Sequence, residues 1–190
     1  QQRDYLSKVD ASAANLLGII DSVLDFSKLQ AGELESVSEP FDLRGLLDEL
    51  SVVTSEQVAE REELLVSFNV DAQIPPLLSG DSNKLATVLR NLIGNAIKFT
   101  AAGTVTVDAA VESNAAQSVR IKFSVTDTGI GISQKQREEL FEGFSQADNS
   151  FSRTFGGAGL GLATAKELTQ LMGGEISVTS KEGHGSSFNF

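Results

Sequence analysis

Residues 119–126, VRIKFSVT, alternate apolar and polar side chains along their whole length. The apolar members share one side of an extended chain: Val119, Ile121, Phe123 and Val125. A period of two indicates a β-strand with one face in the core and the other in water. The sequence therefore predicts a two-layer α/β sandwich, with helices covering only one face of the sheet.

The rest of the pattern supplies the other helices and strands of such a sandwich. Asp42 is the predicted N-cap of one helix, a second helical pattern begins at Asp81, and a third helix is predicted over residues 160–172. Residues 112–117 are the predicted loop of a hairpin, and residues 71–81 a connection punctuated by proline and glycine. The predicted strands lie at residues 64–70, 104–111, 119–127, 174–180 and 185–190.

A long amphipathic helix is predicted over residues 5–31, before the sheet begins. Its apolar positions recur at alternating steps of four and three residues: Val9, Ala13, Leu16, Ile20 and Val23. The pattern fits a helix packed on its own domain and, equally well, one half of a helical hairpin.

The charge of the chain narrows the range of partners. There are 15 basic and 26 acidic residues, and the net charge of -11 repels nucleic acid and anionic membrane surfaces. An anionic ligand therefore needs local compensation by a metal ion or a helix N-terminus. No apolar run approaches the roughly 20 residues that span a bilayer, so we expect a soluble, cytoplasmic domain. The absence of cysteine excludes disulfides and thiolate chemistry.

Asp127 ends the alternating strand and is followed by TGIGI. A carboxylate at a strand end can accept a hydrogen bond from an exocyclic amine and so select adenine. Gly129 and Gly131 would permit the close approach of a flat ring. A turn with a capping aspartate would explain the same residues, so this motif needs support from elsewhere in the chain.

A second group of polar residues lies on the helix that follows Asp81, in NLIGNAIKFT. Asn91 and Asn95 are four residues apart and Lys98 is three further on, so the three share one face. Amide oxygens are hard ligands suited to Mg²⁺, and a lysine can neutralise phosphate. A satisfied asparagine in a turn would explain either one alone, whereas a ligand-lined groove explains both.

A glycine-rich stretch, FGGAGLGLATAKEL, leads directly into the third helix. Bare backbone N–H groups at a helix start suit phosphate. The stretch is not a P-loop, because no Lys-Ser/Thr pair follows it, and it lacks the acidic residue of a dinucleotide fingerprint. We predict a mobile lid over a nucleotide. One or two phenylalanines of the preceding segment are expected to anchor it: Phe141, Phe144, Phe151 and Phe155.

Together these motifs, in this order, resemble the catalytic ATP-binding domain of sensor histidine kinases. That domain belongs to the GHKL or Bergerat superfamily, which includes gyrase and the MutL-type mismatch-repair proteins. NLIGNAIKFT resembles the N box, DTGIGI the first glycine box, LFEGFSQAD the F box and GGAGLGLA the second glycine box. The resemblance covers residues 40–190 and implies the Bergerat fold, an α+β two-layer sandwich with a mixed sheet.

The resemblance also implies roles for the residues that match its motifs. Asp127 would bind the adenine amine, and Asn95 would hold a Mg²⁺ ion that bridges the triphosphate. Asn95 and Lys98 would be the catalytic residues. The other residues implied to contact ATP are Asn91, Gly129, Gly131, Arg153, Gly157, Gly159, Leu160 and Gly161.

Residues 1–34 resemble the second helix of the family's dimerisation and phosphoacceptor hairpin. The segment FSQADNSFSR resembles the sequence found at this place in hybrid kinases. The resemblance implies a homodimer through the hairpin bundle, and a response regulator or receiver domain as partner. The phosphoacceptor histidine belongs on the first hairpin helix, and this sequence begins after that point. His184 lies in a glycine turn and is not a substitute. Ala158 stands where a hydroxyl residue is common, which removes one phosphate contact.

Three functions follow from these motifs. The first is a protein histidine kinase, which passes the γ-phosphate of MgATP to a histidine and then to an aspartate of a receiver domain. The second, ATP hydrolysis as in gyrase or MutL, ranks lower because the superfamily's general-base glutamate is Asn91 here. The third is a non-catalytic module acting by dimerisation or partner binding, which Asp127 and Asn95 disfavour. We expect the chain to bind ATP but not to label itself.

Overall fold

The computed structural model of the chain describes residues 34–115, 118–141 and 159–190, together with positions 20 and 27. Apart from those two positions, the helix predicted over residues 5–31 lies outside the described residues, as does most of the predicted lid. The following residues of the lid and the segment before it also lie outside them: Phe144, Phe151, Arg153, Phe155, Gly157 and Ala158.

The described chain is a mixed α/β sandwich. The elements in chain order are β1 (Glu39–Phe41), α1 (Leu43–Val58), β2 (Leu64–Val70), β3 (Leu78–Gly80), α2 (Ser82–Phe99), β4 (Gly103–Ala115), β5 (Ser118–Asp127), α3 (Gln134–Glu139), α4 (Gly161–Leu171), β6 (Ser177–Ser180) and β7 (Ser186–Asn189). Five strands form the main sheet in the order β2-β4-β5-β7-β6. β2 and β4 are parallel, and the other neighbours are antiparallel.

The two faces of the main sheet differ as the alternation predicts. Val105, Val107 and Val125 are buried under the helices, where they meet Leu89 and Leu92 of α2. The opposite face carries polar pairs that bond across neighbouring strands. Their heavy-atom distances are Asn69 Nδ2 to Asp108 Oδ1 2.8 Å, Ser124 Oγ to Asn189 Oδ1 2.8 Å, and Thr126 Oγ1 to Ser187 Oγ 2.9 Å. The two-layer sandwich is therefore confirmed.

The predicted N-cap Asp42 is confirmed, and the structure shows that Asp81 also caps its helix, because each carboxylate accepts a backbone N–H of the first helical turn. The Asp42 carboxylate lies 2.9 Å from the Arg44 nitrogen, and that of Asp81 lies 2.9 Å from the Lys84 nitrogen. Asp81 also accepts the Val37 N–H at 3.0 Å, which ties the segment before β1 to the start of α2.

Three parts of the structure differ from the sequence prediction. The hairpin strands run on to Ala115 and from Ser118, so residues 112–115 are strand rather than loop; an irregularity after Val111 shifts the register and lets the ladder continue. The predicted connection contains β3, which pairs with β1 and is too short to show a period. Helix α3 was not predicted, although Ser133 and Gln136 form a capping box at its start.

Arg61 closes the C-terminal end of α2 from a distant turn. Its guanidinium donates to the carbonyl oxygens of Ile97 at 2.8 Å, of Thr100, and of Ala101 at 3.2 Å. These carbonyls lack helical partners, and a cation at a helix C-terminus also interacts favourably with the helix dipole. Arg61 therefore fixes the end of the helix that carries Lys98.

We expect Arg61→Met to lower the free energy of unfolding by about 2–3 kcal/mol, because several charge-assisted hydrogen bonds are lost at once. Arg44→Met is the matched control, since Arg44 is exposed and makes one bond, to the Asp71 carbonyl at 3.1 Å. Its expected cost is about 0.5 kcal/mol. Urea unfolding followed by circular dichroism measures both, and equal losses would show that Arg61 does not hold the helix end.

Candidate functional site

Asp127 is a buried carboxylate at the end of β5, with 6% of its surface exposed. Its Oδ1 accepts the Gly129 N–H at 2.8 Å, and both the backbone N–H and the hydroxyl of Ser186 also hydrogen-bond the carboxylate. Burial raises the pKa of Asp127, and the bonds from Gly129 and Ser186 act in the opposite direction. A carboxylate has about four acceptor positions, so these three donors leave one position for a ligand.

The two glycines after Asp127 hold the loop of residues 127–132 between neighbouring backbones. A Cβ on Gly129 would lie 2.2 Å from the Phe99 carbonyl oxygen, at the end of α2. Gly131 has φ 67°, and a Cβ there would lie 2.1 Å from the Lys181 oxygen. Close backbone packing within the protein therefore explains why glycine is needed at both positions. Their predicted contact with a ligand ring stays a prediction.

Helix α2 presents the predicted polar face close to this loop. Asn91, Asn95 and Lys98 are all partly buried, whereas Gly94 is exposed, with open space where its Cβ would be. Burial lowers the pKa of Lys98, whose Nζ lies 5.0 Å from the centre of the Phe99 ring. The face is therefore accessible from one side and lined by amides and one lysine.

Two contacts join α2 to the other predicted motifs. The Ile130 N–H donates to the Phe99 carbonyl at 3.3 Å, which connects the loop after Asp127 to the end of the helix. At the other end of the face, the Asn91 Oδ1 would lie 3.2 Å from a Cβ placed on Gly161. The structure therefore brings Asp127, the asparagine face and the start of α4 together.

The start of α4 has the character expected of an anion site. Gly159 has φ 70°, and no side chain caps the helix, so its first N–H groups are available among the described residues. Leu160 is 1% exposed and packs inward, so only its backbone could meet a ligand. Phe141 lies edge-on to Phe188, with ring centres 6.5 Å apart, and so anchors the beginning of the predicted lid segment.

The turn between β6 and β7, residues 181–185, forms a wall of the site that the motif analysis missed. The Gly183 N–H donates to the Ile130 carbonyl at 2.7 Å. Gly185 has φ 89°, and a Cβ there would lie 2.0 Å from the Asp127 carbonyl oxygen. The paired glycines of GHGS were the available signal, but nothing in the local pattern showed that Ser186 lies opposite Asp127.

Comparison with known proteins agrees with this geometry. Residues 80–190 match the family described as histidine kinase-, DNA gyrase B-, and HSP90-like ATPases. The chain belongs to this ATPase family. As in the sequence prediction, the matched region contains the N-box helix, the loop after Asp127 and the start of α4.

Curated members of the ATPase family resemble the whole chain. It is 46% identical over 188 residues to the sensor histidine kinase GacS of Pseudomonas protegens, covering 99% of this chain and 20% of that protein. It is 44% identical over 191 residues to the histidine-protein kinase BarA of Escherichia coli, covering 100% of this chain and 20% of BarA. It is 39% identical over 195 residues to the hybrid signal transduction protein dokA of Dictyostelium discoideum, covering 100% of this chain and 12% of dokA. The chain thus spans a fifth or less of these relatives.

The solved structure of full-length ShkA in complex with AMPPNP superposes with a TM-score of 0.82 at 35% identity, covering 100% of this chain and 38% of ShkA. The catalytic domain of ThkA shares the fold, with a TM-score of 0.65 at 24% identity, covering 80% of this chain and 93% of that one. Among the described residues of this ATPase-family chain, no helix is long and apolar enough to cross a bilayer.

Proposed function

We propose that this chain is the ATP-binding catalytic portion of a two-component sensor histidine kinase of the hybrid type. The observation that carries the proposal is the buried Asp127 carboxylate, held by the Gly129 N–H beside the asparagine face of α2. The relatives named histidine kinases and hybrid signal transduction proteins support the class. ShkA, which carries AMPPNP, supports an adenine nucleotide as ligand.

The acceptor position left on Asp127 fits the exocyclic amine of adenine, which is a donor. A guanine or hypoxanthine ring offers a carbonyl oxygen there, so two acceptors would face each other. The base would lie beside the loop of residues 127–132, whose Gly129 and Gly131 carry no side chains. Asp127 therefore selects the base.

The face of α2 fits the phosphates and their metal ion. Asn95 offers a neutral amide oxygen, a ligand that Mg²⁺ accepts together with phosphate oxygens. Mg²⁺, when bound, neutralises phosphate charge. Asn91 and Lys98 lie on the same face. Burial lowers the pKa of Lys98, and a nearby phosphate would oppose this effect by favouring the charged form of the lysine. The lid contacts from Arg153, Gly157, Gly159 and Gly161 complete the proposed set.

The chain supplies binding and charge, but not the nucleophile. An imidazole from the phosphoacceptor hairpin would attack the γ-phosphate in line, and the phosphoryl group would pass on to a receiver aspartate. Asn91 stands where a hydrolase needs a glutamate, and an amide cannot take a proton from water. His184 is exposed on the turn, with Nδ1 3.0 Å from the Glu182 carbonyl oxygen. We assign it no part in the transfer.

The partners are part of the proposal. A homodimer would form through the hairpin bundle, and a response regulator or receiver domain would accept the phosphoryl group. ThkA, which shares the fold at 21% identity, was solved in complex with the response regulator TrrA. The proposed location of this domain is the cytoplasm, where ATP is available.

Labelling with γ-³²P-ATP tests the proposed transfer. The chain is incubated with MgATP, alone and with a separately purified phosphoacceptor hairpin of a hybrid kinase. We expect no label on the chain itself and label on the hairpin histidine, which acid treatment removes. Label on His184, or steady phosphate release without a hairpin, would contradict the proposal.

We expect Asn95→Ala to lose the effect of Mg²⁺ on nucleotide binding, with affinity for a non-hydrolysable ATP analogue about 10- to 100-fold weaker when Mg²⁺ is present. Alanine favours the helix, so folding is retained. Asn83→Ala is the control, because Asn83 is exposed on the first turn of the same helix. Calorimetry with and without Mg²⁺ measures both. An unchanged response to Mg²⁺ in Asn95→Ala would remove the metal assignment.

A further inference from the structure

Gly94 lies in the interior of α2, where nothing among the described residues requires a glycine. The residue is exposed, its φ is not positive, and a Cβ added to it would meet nothing within 4 Å. Glycine is among the least favourable residues in a helix interior, because it loses the most conformational freedom on folding. Gly94 therefore weakens α2 without a steric reason within the described part of the chain.

The exposed residues of α2 lie along one side of the helix. There are three of them: Asn83, Arg90 and Gly94. Gly94 directly precedes Asn95, and it lies one helical turn from both Asn91 and Lys98. The exposed side of the helix thus meets, at Gly94, the three residues proposed to bind phosphate and metal.

The asparagine face of α2 is closed at both of its ends. At one end the start of α4 lies against Asn91, whose Oδ1 would be 3.2 Å from a Cβ on Gly161. At the other end the Ile130 N–H donates to the Phe99 carbonyl at 3.3 Å. The open side between these contacts is the one that carries Gly94. Because in-line transfer needs an acceptor that approaches the γ-phosphate from outside, this side is the available route for it.

We propose that the helix carrying the phosphoacceptor histidine docks on α2 at Gly94, where the missing side chain lets the two helices approach closely enough for transfer. The inference rests on the proposed function, since it concerns the second substrate of the same site. Arg90, one turn before Gly94, is exposed and makes no ion pair with any residue that the structure describes. It would offer a cation to a carboxylate on the docked helix.

A side chain at position 94 would hold the docked helix away from the phosphate. A displacement of about 1 Å between reacting groups can lower a rate about 100-fold. We expect Gly94→Ala to lower kcat/KM for the hairpin about ten-fold, and Gly94→Leu to lower it at least about 100-fold. Both variants should keep the wild-type affinity for ADP and melt about 2–4 °C higher, because alanine and leucine favour the helix.

The test labels a separately purified hairpin with γ-³²P-ATP at several hairpin concentrations, which gives kcat/KM for each variant. Calorimetry gives the ADP affinity, and thermal unfolding gives the melting temperature. Asn83→Leu is the matched control: it is exposed on the same helix, about 16 Å from Gly94, and should leave transfer unchanged. Arg90→Gln should raise the hairpin concentration needed for half-maximal transfer about two- to five-fold.

The outcomes separate this inference from the proposed function. Unchanged transfer in Gly94→Leu, or an unchanged half-maximal hairpin concentration in Arg90→Gln, would overturn the docking site. Weaker ADP binding in Gly94→Ala would also overturn it, because the nucleotide or its lid would then need the space. A wild-type chain that binds ADP but never labels a hairpin would remove the proposed function, and the inference with it. That failure is distinguishable, since it appears before any variant is compared.

Discussion

Replacing Asp127 with asparagine is expected to weaken ADP binding at least about 100-fold. The Gly129 N–H takes the single oxygen of the asparagine amide, since it lies 2.8 Å from Oδ1 in the native chain. The amide NH₂ then occupies the other position and meets the adenine amine, donor against donor. The Ser186 hydroxyl loses its charged acceptor at the same time. Calorimetric titration measures the loss.

The substitution is expected to leave the chain folded, which distinguishes lost recognition from unfolding. Burial raises the pKa of Asp127, so the stability that this residue contributes is present in its protonated form and is lost as the pH rises through the folded pKa. A neutral amide avoids that loss at pH 7 but gives the Ser186 donors a poorer acceptor, so the two effects oppose each other and the thermal unfolding transition should stay cooperative. Asp108→Asn, on the exposed sheet face, is the control and should leave ADP binding unchanged.

Binding of ADP should also depend on pH through the same residue. The amine needs an ionised acceptor, so the affinity of the wild-type chain should fall as the pH drops through the raised pKa of Asp127. That loss begins at a higher pH than an ordinary aspartate would give. A weak but pH-independent affinity is expected for Asp127→Asn. Equal pH profiles for the two proteins would contradict the assignment.

Replacing Gly185 with alanine is expected to cost at least about 3 kcal/mol of unfolding free energy and to abolish nucleotide binding. The new Cβ would lie 2.0 Å from the Asp127 carbonyl oxygen, so β5 and the turn must separate. The positive φ of 89° adds strain of its own. Because Ser186 follows directly, its bonds to Asp127 would be displaced as well.

Gly183→Ala is the matched control within the same turn. Gly183 also has a positive φ, 76°, but a Cβ at this position would have nothing within 4 Å, so only backbone strain of about 1 kcal/mol is expected. Alanine keeps the N–H that donates to the Ile130 carbonyl. Denaturant unfolding compares the two variants. Equal losses of unfolding free energy in the two variants would show that the backbone at Gly185 can move away from Asp127 without further loss of stability.

Much of the fold is readable from local pattern. The alternation in residues 119–126 predicted a sheet with one polar face, and the cross-strand pair of Thr126 and Ser187 lies on that face. Asp42 and Asp81 marked helix starts because capping depends on residues within the first turn. The strands β1 and β3 were missed since three-residue strands carry no period, and their pairing joins segments far apart in sequence.

Sequence alone selects the candidate residues of the site but not the contacts that support them. Asp127 and Asn95 stand in motifs whose spacing is local, and their roles stay predictions. The Ser180 hydroxyl bonds Ile132, which lies 48 residues away in sequence, and Arg61 bonds Thr100, which lies 39 residues away. No local sequence pattern indicates such contacts. The same is true of Gly185, whose closeness to Asp127 follows from the pairing of β5 with β7.

The central claim, that this chain binds ATP through Asp127 and the α2 face, is tested most directly by calorimetric titration with a non-hydrolysable ATP analogue. The titration is run with and without Mg²⁺, and repeated with the corresponding GTP analogue. We predict saturable binding of one ATP analogue per chain, tightened by Mg²⁺, and no measurable binding of the GTP analogue. Absence of binding at millimolar ATP analogue, or equal binding of both, would contradict the account.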